Sequence, residues 1–250
     1  MRSLDRYKKM MTQRILAKPT ITQQRLSLNM PEVDELFPGF SLGDFAILQG
    51  SPSVISLTSL LCVRAQLPTQ VGGLASSVVF IDGGNKFRLY KIARIAQLHQ
   101  MDSRQVLEHI YISRAFTAYQ LTSLLMEKLE ETVKKYNAKV VVISDIAGFF
   151  LDEDVDNEEA CSIYNQMLSY LSSFARKNKI IIVATYLPYH NSKRNSALKE
   201  ISCSKANVVL SLSKTLYTSE VVLEKHPSYV LGTADFPSEN VTLMDFMGTQ

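Results

Sequence analysis

The chain has no tryptophan, only three cysteines and only four histidines among its 250 residues. Cys62, Cys161 and Cys203 lie far apart and form no CxxC pair. That excludes a disulfide-stapled small domain and fits a reducing compartment. His99, His109, His190 and His226 add no metal-ligand spacing to them, so no metal is expected. No apolar run is long enough to cross a bilayer, and the N-terminus carries no signal-type apolar stretch. Charge of one sign is also scarce: the formal net charge is +3, too small to define a nucleic-acid binder by itself. These absences point to a chain that is not secreted and resides in the cytoplasm, near the nucleoid, or in the nucleus of a eukaryote. What is present is an ordinary globular composition, 46% hydrophobic and 20% charged, with length enough for one sizeable α/β domain.

Residues 1–25 differ from the rest and read as an N-terminal extension to a core of residues 26–250. Leu4, Tyr7, Met11 and Ile15 recur at helical spacing, and Arg2, Arg6, Lys8, Lys9, Arg14 and Lys18 make the segment basic. A solvated surface helix or a disordered arm accounts for this pattern. An arm for DNA or for a partner subunit is the sharper alternative.

Beyond it, apolar runs recur at regular intervals: 44–49, 78–82, 109–113, 139–144 and 179–185. Continuous β-branched runs such as Val140-Val141-Val142-Ile143 specify strands buried on both faces, as in a parallel sheet. Helical patterns lie between them. Thr117-Ala118-Tyr119-Gln120 forms a capping box ahead of Leu121, Leu124, Leu125, Leu129 and Val133. Asp156, with Glu159 three residues on, opens the strongest helical period, Ala160 to Ala175. Strand–helix alternation implies right-handed crossovers and a doubly covered sheet. After residue 205, short runs at Ala206–Ser213, Thr218–Glu224, Ser228–Thr233 and Asn240–Leu243 predict an antiparallel extension at one sheet edge.

One turn sits at the centre of this order. Gly50-Ser51-Pro52-Ser53-Val54-Ile55-Ser56-Leu57-Thr58 joins the first long strand to a helix predicted over 57–66. Glycine-rich turns of the form GxxxxGK[ST] hold phosphates at such a junction. Gly50 fits the first glycine. Ile55, Ser56 and Leu57 stand where the second glycine, the lysine and the hydroxyl residue belong.

The order of elements resembles the ATPase core of the RecA/RadA recombinase family. Asp34-Glu35-Leu36-Phe37-Pro38-Gly39 resembles that family's approach to its P-loop. Phe80-Ile81-Asp82 followed by Phe87-Arg88 resembles its strand ending in IDTEGxFR. Ile110-Tyr111-Ile112-Ser113-Arg114-Ala115 is similar to its next strand, and Val141-Val142-Ile143-Ser144-Asp145 to its Walker B strand. The resemblance covers residues 28–245 and implies a RecA-like P-loop-NTPase fold: a mostly parallel central sheet covered by helices, with a C-terminal antiparallel extension.

The departures bear on activity. In the family the P-loop lysine neutralises phosphate charge and the neighbouring hydroxyl holds Mg²⁺. Ser56 brings no charge and Leu57 cannot ligate a metal. Ile55 replaces a glycine whose positive φ lets the loop wrap phosphate. The acid that positions the attacking water corresponds to Gly84. A degenerate nucleotide site of Gly50, Ser53, Ser56, Thr58, Asp82 and Asp145 follows, with neither ATP nor Mg²⁺ expected as a cofactor and no catalytic residue assigned. A one-residue slip that uses Thr58 as the metal hydroxyl is the alternative.

Ligands in such sheets bind beyond the carboxyl ends of the strands. The polar stretch from Tyr186 to Lys205 reads as a long loop there. Its place matches the family's main single-strand DNA loop, which makes Tyr189, His190, Lys193, Arg194, Lys199 and Lys205 the DNA-binding candidates. A second loop, with Asp152, Glu153, Asp154, Asp156, Glu158 and Glu159, carries charge that repels phosphate. The resemblance therefore implies a non-catalytic recombinase paralogue in homologous recombination or DNA repair. Its expected partners are single-stranded DNA and a recombinase or paralogue, in a dimer or hetero-oligomer. An ATPase with a rearranged P-loop and a KaiC-like protein-interaction module are the other readings.

Overall fold

The structure, a computed structural model, describes residues 24–214 and 218–237. The basic N-terminal segment, up to residue 23, and the run Asn240–Leu243 lie outside them. The chain enters through a two-residue strand β1 (Arg25–Leu26), antiparallel to β2 (Phe40–Ser41), with the short helix α1 (Pro31–Leu36) between them. There follow β3 (Phe45–Gly50), α2 (Val54–Arg64), β4 (Val78–Gly83), α3 (Leu89–Leu98), α4 (Ser103–Glu108) and β5 (Ile110–Ala115). Helix α5 (Ala118–Ser123) passes through a π-helical turn (Leu124–Lys128) into α6 (Leu129–Lys135). Then come β6 (Val140–Ser144), α7 (Asn157–Asn178), β7 (Ile181–Tyr186), α8 (Lys193–Lys205), β8 (Val208–Lys214), β9 (Thr218–Lys225) and β10 (Gly232–Pro237).

Eight strands form one sheet in the order β10-β9-β8-β3-β7-β6-β4-β5. The six from β8 to β5 are parallel, and β9 and β10 extend the sheet antiparallel beyond β8. The five apolar runs of the sequence are the parallel strands β3 to β7, each shifted by a residue or two from its expected bounds. Parallel strands need crossover helices, which bury both faces, and this is why β3, β4, β6 and β7 read as continuous apolar stretches, while the edge strand β5 buries only its two end residues. Val140, Val141, Val142 and Ile143 are all fully buried. Even positions contribute to one core layer with Leu60, Leu61, Ile92 and Ile95 from α2 and α3. Odd positions contribute to the other, with Leu121, Leu129, Tyr164, Leu168 and Leu171 from α5, α6 and α7.

Caps set where the helices begin. Thr117 accepts a hydrogen bond from the amide of Gln120, while the Gln120 side chain accepts from the amide of Phe116, one residue earlier than in a regular capping box. Asp156 accepts from the amides of Glu158 and Glu159 and starts the 22-residue helix α7. The helix expected over 57–66 begins three residues earlier, at Val54, and ends at Arg64. No helix among the described residues is long and apolar enough to cross a membrane.

Candidate functional site

The carboxyl ends of β3, β4, β6 and β7 bring together most of the residues singled out above. The turn after β3 leaves the strand with Gly50 at φ +94°, where a Cβ would meet the Leu212 carbonyl oxygen at 2.2 Å. Only glycine fits that approach. The amide of Ser51 then donates to the same Leu212 oxygen at 2.7 Å, which stitches the turn to β8.

The amides that follow are occupied. Val54 N donates to Ser51 O, Ile55 N to Pro52 O, and both Ser56 N and Leu57 N to Ser53 O. Ser53 N donates to Ser51 Oγ, whose hydroxyl bonds Ser53 Oγ. Pro52 has no N–H at all. A phosphate-binding turn aims its free N–H groups at the ligand. Here those groups close a helical turn instead, which is the reason α2 starts at Val54.

The side chains complete this change. Leu57 is 5% exposed and joins the core beside Val54, Leu60 and Leu61. Burying a leucine contributes about 1.5–3 kcal/mol, so Leu57 serves as a packing position. Thr58 is buried and donates its hydroxyl back to Ile55 O at 2.8 Å, so it faces its own helix rather than a metal site. Ser56 is met by a residue that sequence reasoning missed: Lys91 Nζ of α3 donates to Ser56 Oγ. Burial and the nearby Arg88 charge hold the Lys91 pKa below its usual value. Its position on α3, in helical register with an apolar stripe, gave no signal that it would reach the turn.

Asp82, at the end of β4, is fully buried and fully partnered. It accepts from the amide of Lys86 at 2.7 Å, from Ser144 Oγ at 2.9 Å and from Arg114 Nε at 3.2 Å. Ser144 and Arg114 sit opposite it on the flanking strands β6 and β5. The carboxylate locks three strands together.

Asp145, just after β6, adopts φ +56° and is 5% exposed. Its amide donates to Thr185 Oγ1 at 2.8 Å, and its Oδ1 accepts the hydroxyl hydrogen of Tyr189. Burial raises its pKa, against the Tyr189 hydrogen bond and the nearby Lys86 charge. Burial and the adjoining Asp145 drive the Tyr189 hydroxyl far above the usual tyrosine range, so it remains a donor. Gly84 and Gly148 close the other side: a Cβ on either would meet Asp145 Oδ2 at 2.9 Å. Gly84 also has φ +98°. The space beside Gly84 is thus filled by the Asp145 carboxylate itself.

The stretch expected as a long loop from Tyr186 to Lys205 is mostly helix. Tyr186 ends β7, six residues connect, and α8 runs from Lys193 to Lys205 behind an N-cap at Ser192 that accepts from Asn195 N at 3.0 Å. The DNA-binding candidates separate accordingly. Tyr189 turns inward onto Asp145 and packs edge-on against Tyr186, so its ring is not free to stack on a base. Arg194 folds over the acidic loop. Its guanidinium donates to the carbonyls of Val155 at 2.6 Å and of Asp152, and to Asn157 Oδ1. That loop's backbone needs a donor-rich partner, and Arg194 supplies it. Lys205 lies at the far end of α8, about 18 Å from Lys193 at 1.5 Å per residue. It therefore sits at the amino ends of the strands, where β8 begins. His190, Lys193 and Lys199 stay exposed on the carboxyl side or along α8. The acids Asp152, Glu153, Asp154, Asp156, Glu158 and Glu159 are exposed nearby.

Among the described residues no cluster of histidine, cysteine or carboxylate could hold a metal ion. The sheet order, the turn after β3, and the acids at the ends of β4 and β6 define an α/β core of the RecA type. The Rad51 family model matches residues 51–205, more than half the chain, and the chain belongs to that family. A DNA repair and recombination protein RadA from Cenarchaeum symbiosum (strain A) is 28% identical over 116 residues. That match covers 46% of this chain and 29% of the relative, well under half of its length.

Proposed function

We propose that this chain is a non-catalytic recombinase paralogue, an accessory factor in homologous recombination or DNA repair that binds single-stranded DNA, a recombinase partner, or both. Family membership and the RadA likeness support the pathway. The observation that carries the loss of catalysis is the turn after β3, in which every amide from Ser53 to Leu57 is spent within the turn. Ser56 supplies no charge, Leu57 is core, and Asp145 is closed by Tyr189. A hydrolytic reaction needs a phosphate cradle, a metal ligand pair and a water-positioning group, and each of these places has another occupant.

DNA contact, in this reading, falls on His190, Lys193 and Lys199, with a protein partner at the acidic face formed by the 152–159 loop. The acidic charge disfavours a long recombinase-like groove and suits a basic protein surface. Calorimetric titration with ATP and Mg²⁺ tests the first part, with no saturable binding expected. Anisotropy titration with a labelled oligo-dT tests the second. Affinity that falls steeply with salt and drops in a His190→Ala/Lys193→Gln/Lys199→Gln variant supports it, and affinity indifferent to both removes the assignment.

One observation favours a second reading, an ATPase with a rearranged site. Lys91 brings a cation from α3 to the position vacated by the P-loop lysine. Micromolar ATP affinity abolished by Lys91→Met, with turnover lost on Asp145→Asn, would establish it in place of the first.

A further inference from the structure

At the opposite end of the sheet from the β3 turn, a pocket of about 620 Å³ opens between the entry strand β1, the end of α7 and the residues after β9. Ser41 to Asp44 lead into β3, Lys179 precedes β7, and His226 follows the antiparallel β9, so all belong to the amino ends of the parallel strands. The pocket lies about 17 Å, the length of β3, from Gly50. It shares no residue with the site described above.

The lining is rich in hydrogen-bond donors and poor in free acceptors. Arg25, Arg176 and Lys179 surround it, and none of them forms an ion pair among the described residues. Arg25 Nε is buried with no hydrogen-bond partner, while the guanidinium lies over the Tyr229 ring, 5.5 Å from its centroid. Arg176 commits only Nε, to Ser172 O at 3.2 Å.

His226 stacks on the same tyrosine with ring centroids 4.1 Å apart. Its Nδ1 accepts from the amides of Ser228 at 3.0 Å and Tyr229 at 2.9 Å. The ring hydrogen is therefore on Nε2, which has no partner among the described residues. Burial lowers the His226 pKa, opposed by the Asp44 charge and aided to a smaller degree by the Arg25 charge.

Asp44 is the one carboxylate of the lining, and both its oxygens are taken. Oδ2 accepts from Ser41 N at 2.7 Å and Oδ1 from Asn207 Nδ2 at 2.6 Å. Three cations, set against the single charge of Asp44, and an N–H donor around one cavity match a group that is all acceptor and negatively charged. Phosphate has that chemistry.

We propose that Arg25, Arg176, Lys179 and His226 form a phosphate pocket at the base of the sheet that holds the backbone of a nucleic-acid strand. The proposal deepens the DNA-binding reading above and rests on it, adding a second contact surface remote from α8. A polynucleotide is favoured over a lone phosphate because the chain reaches Arg25 directly from a stretch with six arginines and lysines and a single acid, Asp5. Successive phosphates suit such a continuation of positive charge.

The full chain is titrated with fluorescein-labelled oligo-dT by anisotropy between 50 and 300 mM NaCl, as wild type and as Arg176→Gln/Lys179→Gly. Lys179 has φ +51°, so glycine there relieves backbone strain and the variant is expected to fold. The slope of log affinity against log salt should become shallower by about 0.7 for every phosphate that the variant no longer neutralises. The His226 ring resonances should shift with oligonucleotide in the wild type and not in the variant. An unchanged slope, with binding reduced only by the His190, Lys193 and Lys199 substitutions, would overturn the pocket and leave the α8 assignment standing. A His226 shift with inorganic phosphate but none with oligo-dT would overturn the polynucleotide as occupant. No oligonucleotide binding at all would overturn this pocket and the DNA part of the proposed function together.

Discussion

Tyr189 and Asp145 lie 44 residues apart, and the tyrosine hydroxyl donates directly to the aspartate Oδ1. The two residues were separate candidates in the sequence, Tyr189 for binding DNA and Asp145 as part of a degenerate nucleotide site. Their contact ties the two candidates into one site. Each now satisfies the other in a site closed by Gly84 and Gly148.

Replacing Tyr189 by phenylalanine tests that relationship. Loss of a donor to a buried carboxylate should cost about 1.5–3 kcal/mol, read from urea unfolding at pH 7. Oligo-dT affinity should stay within twofold of the wild type, since the ring does not stack on a base.

Gly84 offers a second test, because it combines a positive φ with contact to Asp145 Oδ2. Gly84→Ala should destabilise by about 1–3 kcal/mol through the backbone alone. Gly84→Glu, which installs the family's acid, should lower the melting temperature further and yield no ATP turnover. A stable Gly84→Glu protein would show that the Asp145 carboxylate yields its place readily.

Arg194 and Lys193 are neighbours with opposite expected behaviour. Arg194→Ala frees the carbonyls of Asp152 and Val155 and should lower stability by about 1–3 kcal/mol, with little change in DNA affinity. Lys193→Gln should leave the unfolding midpoint unchanged and reduce the salt dependence of DNA binding. Paired denaturation and anisotropy measurements separate the two.

The α7 cap gives a pH dependence whose sign is fixed by its contacts. The amides of Glu159 and Glu158 hold the Asp156 pKa below its ordinary 3.8. The cap's contribution is therefore complete above about pH 3.8 and is lost as pH falls through the lower folded-state value. Asp156→Ala should melt below the wild type at pH 7, with the gap closing in stronger acid. Asp156→Asn keeps an accepting oxygen that does not titrate, so it should melt close to the wild type at pH 7 and gain on it in stronger acid. Thermal melts from pH 7 to pH 2 read both.

The strands were legible because burial on both faces leaves an unbroken apolar run that few other structures produce, as in Val140 to Ile143. The family resemblance followed from their order. The β3 turn was legible as a departure from the GxxxxGK[ST] pattern, yet its geometry was not, since the early start of α2 depends on amide bonding inside Ser51 to Leu57. Helix α8 was misread as loop for a compositional reason. Its fully buried side is only Leu198 and Ser202, and Lys, Arg, Asn, Ser and Glu hold most of the other positions. The roles of Tyr189, Arg194 and Lys91 escaped because each is set by a partner at least 35 residues away, which no local pattern encodes.

The bond from Ser51 to Leu212 has a mechanical consequence. Leu212 belongs to β8, the strand at which the sheet turns from parallel to antiparallel. Here the order comes from the sheet, so opening this corner means parting it from β8. The turn acts as a rivet between β3 and β8.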